Sequence, residues 1–199
     1  MTVIAYISDK ILKFICSNST IDDEMRDVYH YGIEITLSSI LNFALIIVAS
    51  LLLKDFLSGI TFLLCFIPLR LYCGGYHAGT YFKCNTIFLL TYIVVHFASI
   101  FLSDFFQAHI VIAVVVLLAG FLPILFFSPV KNSHKKLSEK TAKKSRVLSI
   151  IIYILIALIS LYLCGSGLIY GSILVITLTA VSVMILVEIF LQRRGYHEV

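Results

Sequence analysis

The twenty residues Ala108-His-Ile-Val-Ile-Ala-Val-Val-Val-Leu-Leu-Ala-Gly-Phe-Leu-Pro-Ile-Leu-Phe-Phe127 contain no lysine, arginine or carboxylate. At about 1.5 Å per helical residue, a run of this length matches a hydrocarbon core about 30 Å thick. It reads as a helix crossing a bilayer. The rest of the 199-residue chain agrees: 60% of it is hydrophobic, 13% is charged, and the mean hydropathy is +1.04. Such a composition cannot clothe a soluble globule, so the molecule reads as an integral membrane protein.

Outward from residues 108–127 the same pattern recurs on both sides. Thr86 to Ser103 forms the preceding span, joined by a short turn that contains Asp104 and Gln107. Further back, Ile35 to Leu53 is a first span and Lys54-Asp55 marks its far side. Phe56 to Leu69 is the return span, long enough if its helix continues to Cys73 with Arg70 snorkelling toward headgroups, and Pro68 is a candidate kink. Beyond residue 127, Val147 to Cys164 and Leu168 to Leu191 form a hairpin about Gly165-Ser-Gly167. Backbone amides in lipid must pair within their own segment, so all six spans are expected to be helices.

Six spans place residues 1–34, 70–85, 128–146 and 192–199 on one side, which collects fourteen of the fifteen lysines and arginines and leaves Lys54 opposite. By the positive-inside rule that side is the cytoplasm of the cell. The expected fold is all-α: a polytopic membrane protein with six transmembrane helices and an amphipathic amino-terminal region. A single membrane-embedded domain covers residues 1–199, with interfacial helices in 1–34, the bundle in 35–191 and a basic loop at 128–146.

From Val3 to Ile15 the apolar residues recur at helical spacing around Asp9, Lys10 and Lys13. That helix is expected flat on the bilayer interface or packed on a partner helix, and its charges speak against a cleaved signal peptide. Asn18-Ser-Thr20 followed by Asp22, Asp23 and Glu24 announces a second helix. The five cysteines (Cys16, Cys65, Cys73, Cys84, Cys164) are odd in number and scattered, which reads as free thiols. No nucleic-acid-binding pattern accompanies the net charge of +4.

Chemistry concentrates in Arg70-Leu-Tyr-Cys-Gly-Gly-Tyr-His-Ala-Gly-Thr-Tyr-Phe-Lys-Cys84, where a guanidinium, an imidazole, thiols and glycines gather between two spans. His77 and Cys84 are seven residues apart, so on one straight helix their Cα atoms would lie roughly 10.5 Å apart along the axis. A break at Gly79, with Thr80 capping a new helix, would bring them closer and put Cys84 in that helix's first turn beside Lys83. Both neighbours favour the attacking thiolate. His77 is then the candidate general base and acid of a cysteine-peptidase dyad. A metal set of Cys73, His77 and Cys84 lacks a fourth ligand and a paired C-x-x-C, so neither metal nor cofactor is assigned.

Arg70-x-x-x-Gly74-Gly75-x-His77-Ala78-x-x-x-x-x-Cys84, preceded by Tyr31-Gly32-x-Glu34 and followed by Ser128-Pro129-Val130 at the head of a basic loop, resembles the accessory gene regulator protein B family. The loop departs from the family's usual Asn-Lys-Pro-Leu run with Asn132-Ser-His-Lys-Lys-Leu137. The resemblance implies a membrane-embedded cysteine endopeptidase of Gram-positive bacteria that processes a quorum-sensing propeptide. It makes Cys84 the nucleophile and His77 the general base and acid. The implied substrate has an amphipathic amino-terminal helix, an internal Cys or Ser and an acidic tail. Removing the tail leaves a Cys84 thioester, and attack by the internal thiol or hydroxyl releases a thiolactone or lactone. A homodimer is also implied.

For the supporting residues, alternatives stay open. Arg70 either meets a substrate carboxylate or the oxyanion, or simply anchors the end of its span. Gly74 and Gly75 permit a turn or a close approach, and Glu34 orients His77, pairs with Arg70 or packs helices. Lys131, Lys135, Lys136 and Lys140 are candidates for the acidic tail, and their loop also suits anionic lipid. His96, about 18 Å beyond Cys84 on a continuous helix, reads as a packed histidine. Glu188 is given no chemistry. The competing reading, a small transporter or peptide permease, is disfavoured by spans with few ionisable residues and no paired broken helices.

Overall fold

Amides that must pair inside lipid leave little choice of backbone, and the computed structural model of this chain is built accordingly from α-helices. It describes residues 3–18, 23–74, 80–130 and 138–194, with no strand among them. The helices are α1 (Val3–Asn18), α2 (Asp23–Leu52), α3 (Phe56–Cys73), α4 (Tyr81–Ala108), α5 (Ile110–Phe127), α6 (Glu139–Gly165) and α7 (Ile169–Arg193). Helices α2 to α7 are each long and apolar enough to cross a bilayer, which makes this a multi-pass membrane protein.

Helix α7 is the centre of the bundle, packed against α3, α4, α5 and α6. Small residues let it sit there: Gly171, Ser172, Thr177 and Ser182 are all buried. A Cβ at Gly171 would lie 2.5 Å from the Cys164 amide nitrogen and 2.8 Å from the Ser160 carbonyl oxygen, both backbone atoms of α6. Close backbone approach is how helices associate where lipid removes the hydrophobic drive. Hydroxyls tie the same helices across: Ser182 donates to the Gly120 carbonyl of α5, and Tyr153 of α6 donates to the Leu117 carbonyl at 2.7 Å.

At the rim, α2 packs on α3 and α4, and α1 packs on α2. Ser8 and Leu12 of α1 are buried, Tyr6, Ile7 and Phe14 remain exposed, and His30 of α2 meets Asp9 across 2.9 Å. Of the two sequence expectations for this segment, the partner-helix one describes its polar face. At the end of the bundle where α3 begins, Asp55 caps α3 by accepting from the Ser58 amide at 3.1 Å. Ser58 hydrogen-bonds Tyr92 at 2.7 Å and stands 3.2 Å from His96 Nδ1, so His96 is a packed, bonded histidine as its position suggests.

Two boundaries differ from the sequence reading. The turn after the third span is not at Asp104–Gln107: α4 runs on to Ala108 and the break is His109. Gln107 donates to Ser103 at 2.8 Å within the helix, so these polar residues extend it instead of ending it. The second half of the basic loop is helical, since α6 starts at Glu139, capped by Ser138 accepting from the Thr141 amide at 3.3 Å. Lys and Glu are good helix formers, and their charge bars them from lipid without barring them from a helix. Pro68 stays inside α3, which reaches Cys73 as a full span requires. Of the expected capping residues, Asn18 ends α1, while Ser19, Thr20 and the first-turn Asp22 lie outside the described residues.

Candidate active site

The break between α3 and α4 is built from both sides. Gly74 ends α3 with φ +73°, in the left-handed region that glycine tolerates, and its amide donates to the Arg70 carbonyl at 3.0 Å. The turn is stapled to the segment after α5, because the Val130 amide donates to the Cys73 carbonyl at 2.9 Å. Behind it Ser128 and Ser149 share a buried hydrogen bond of 2.8 Å, close to the Cys73 thiol. On the other side Thr80 is extended (φ −136°, ψ 146°) and its hydroxyl accepts from the Lys83 amide at 3.3 Å. The Cys84 amide donates to the Thr80 carbonyl at 3.0 Å, so the half-buried Cys84 thiol stands in the opening turn of α4. Because Thr80 is extended, no continuous helix passes through positions 77 and 84. Gly75, His77 and Gly79 themselves lie outside the described residues.

Helix α2 grips this opening turn on both sides of Cys84. Tyr81 donates to Glu34 Oε2 at 3.0 Å, and Ser38 donates to Asn85 Oδ1 at 3.0 Å in a buried contact. Glu34 therefore reaches the site, but the partner seen here is Tyr81, not Arg70. Sequence reading missed Tyr81, Asn85 and Ser38. The available signal was Asn85, a buried amide opening an apolar span, where only a polar partner on a neighbouring helix makes burial tolerable.

Arg70 reaches from the last turn of α3 to a neighbouring helix. Its Nη1 lies 3.4 Å from Met184 Sδ of α7, its guanidinium sits 5.6 Å from the centre of the Phe66 ring, and both Cys84 and Glu188 are within its electrostatic reach. Arg70 of α3 is thus in contact with α7 at this end of the bundle. Of the candidate tail-binding lysines, Lys140 is exposed on the first turn of α6, while Lys131, Lys135 and Lys136 lie outside the described residues. Among the described residues no group of His, Cys, Asp and Glu is arranged to hold a metal ion.

A second polar cluster, Asp55, Ser58 and His96 at the opposite end, has the composition of a hydrolase triad without its wiring. The same ring nitrogen, Nδ1, faces Ser58 at 3.2 Å and Asp55 at 3.8 Å. A triad needs the two nitrogens on different partners.

All five cysteines are free; Cys65, Cys73 and Cys164 are buried, and Cys16 and Cys84 are half-buried. In the folded chain in liposomes, a maleimide is expected to modify Cys84 and Cys16 at least about tenfold faster than the other three, since thiol reactivity needs access. Peptide mass mapping of a time course checks this, and Cys73 labelling as fast as Cys84 would contradict the packing described.

A family model described as Accessory gene regulator B matches residues 8–191. Two curated proteins of Clostridium perfringens, provisionally named AgrB-like protein 2 (strain 13 / Type A) and AgrB-like protein (strain SM101 / Type A), are each 24% identical over 168 residues, covering 81% of this chain and 78% of their own. No solved structure matches the chain.

Proposed function

This chain belongs to the accessory gene regulator B family, and on that premise we propose that it is a membrane-embedded cysteine endopeptidase that removes the tail of a quorum-sensing propeptide and cyclises the remainder. The observation that carries the reading is Cys84: a half-buried thiol in the opening turn of α4, beside a helix break. Cys84 is the nucleophile and His77 the general base and acid. The thiolate adds to the scissile carbonyl, the tetrahedral intermediate collapses, and the tail leaves as an amine that takes its proton from His77. The substrate's internal thiol or hydroxyl then gives its proton to His77, attacks the thioester and regenerates the Cys84 thiolate. The activated bond passes from one acyl acceptor to the next, so ring closure needs no external energy source. Water has to be held off, because hydrolysis yields a linear product.

Arg70 answers the negative charge that develops at Cys84, or the carboxylate of the substrate. Gly74 and Gly75 let the substrate backbone approach, Glu34 holds the opening turn of α4 through Tyr81, and Lys131, Lys135, Lys136 and Lys140 receive the acidic tail. The site and both termini face the cytoplasm, anionic lipid contacts the basic segment, and the working unit is a homodimer. A transporter reading gains no support from these spans.

The test is to reconstitute the full chain in liposomes with a synthetic propeptide encoded beside its gene. The expected products are the free tail and a core one water lighter than its linear form. No tail release, from a chain whose buried cysteines are protected, would overturn the proposal.

A further inference from the structure

Two hydrogen bonds join α2 to the opening turn of α4, and they share a register. Tyr81 donates to Glu34 Oε2 at 3.0 Å and Ser38 donates to Asn85 Oδ1 at 3.0 Å, each pair being separated by 47 residues. A step of four along α2 therefore meets a step of four along α4 in the same direction, which makes the bonds two rungs between parallel helices, one turn apart. Cys84 stands between the rungs in sequence. At about 100° per helical residue its side chain is turned about 60° from Tyr81 and about 100° from Asn85, so it flanks the contact with α2 instead of entering it. The half-burial of the thiol agrees.

The rungs differ in kind. The Tyr81–Glu34 bond is partly exposed, and water competes for its groups. Ser38 and Asn85 are only 7% and 6% exposed, so parting them would strand an amide oxygen inside an apolar span. The Thr80 cap fixes where α4 begins and leaves its rotation free, whereas two rungs on one face fix both its height and its rotation.

We propose that Ser38 and Asn85 are positioning residues: their buried bond, one turn beyond the Glu34–Tyr81 bond, holds α4 in register and rotation on α2 and so keeps the Cys84 thiol in place at the helix break. The catalytic consequence rests on the cysteine-peptidase reading; the register does not. With side chains a helix is about 10 Å across, so a turn of about 20° carries a side-chain tip roughly 2 Å. A misplacement of about 1 Å can cost a reaction about a hundredfold. Neither residue touches a reacting atom.

The full chain in liposomes is compared with one carrying Ser38→Ala and Asn85→Leu together, which removes the bond without leaving either polar group unpaired. Maleimide labelling of Cys84 should quicken about threefold or more while Cys73 stays protected. With the propeptide, kcat should fall about tenfold to a hundredfold and KM should stay within about threefold. A bond that served stability alone would leave both readouts unmoved in a chain that still protects Cys73. Should the double variant expose Cys73, Ser38→Ala, which removes a single hydroxyl, takes its place with the same expectations. The exchanged pair, Ser38→Asn with Asn85→Ser, can rebuild the bond and should recover about a third of kcat or more. Unchanged labelling of Cys84 overturns the register, and a kcat within about twofold of the parent, or no recovery in the exchanged pair, overturns the positioning role. If Cys84→Ala still releases the tail, the peptidase reading falls, and the labelling rates still decide whether the rungs hold Cys84.

Discussion

Cys84→Ala is expected to abolish tail release, lowering its rate by about ten-thousandfold or more, because covalent catalysis has no substitute for its nucleophile. The variant should fold. The side chain is half-buried, and the cap of α4 depends on the Thr80 hydroxyl and the Lys83 amide, not on the thiol. His77→Ala should cost about a hundredfold to ten-thousandfold, the range of a general acid–base, and added imidazole should recover part of it. The measurement is tail release by mass spectrometry in liposomes, with protection of Cys65, Cys73 and Cys164 as the control for folding. Tail release at the normal rate by the Cys84→Ala chain would remove the dyad from consideration.

The largest expected effect on stability is at Gly171→Ala. The added methyl would meet backbone atoms of α6 at 2.5 and 2.8 Å and the Cys164 sulfur at 2.7 Å. Only the sulfur has freedom to turn aside, so α6 and α7 must separate, at a cost of about 1–3 kcal/mol. Because α7 also carries the contacts to α3, α4 and α5, the loss should appear as cooperative unfolding of the whole bundle. Titration of the detergent-solubilised chain with dodecyl sulfate, followed by circular dichroism, measures it. Gly32→Ala is the comparison: nothing lies within 4 Å of a Cβ there, and replacing glycine inside a helix should stabilise α2 by up to about 1 kcal/mol. Equal effects from the two substitutions would show that helix propensity, not the α6–α7 approach, governs both.

The spans were legible because hydropathy is a property of the segment itself. So was the opening of α4: Thr80 has the side chain a cap requires, and it sits four residues before Cys84. The boundaries at His109 and Glu139 escape the sequence because charge and polarity resemble the signs of a helix end, whereas the chain is only leaving the lipid. What the sequence withheld were partners. Tyr81 finds Glu34 and Asn85 finds Ser38 across separations of 47 residues, and Arg70 finds Met184 across 114. No local pattern encodes such pairs; they exist only once the helices have been placed.

The central place of α7 also bears on how the protein is made. Synthesis runs from α1 onward, so α3, α4, α5 and α6 are in the membrane before the helix they surround has left the ribosome. Until then their inner faces stand open to lipid, the Gly120 carbonyl has no Ser182 hydroxyl, and Arg70 has no Met184. The first six helices can be inserted, but they cannot be closed. Final assembly is therefore a single late event, the docking of one helix into a prepared seat. A chain stopped before that point would present quality-control proteases with an open ring of helices.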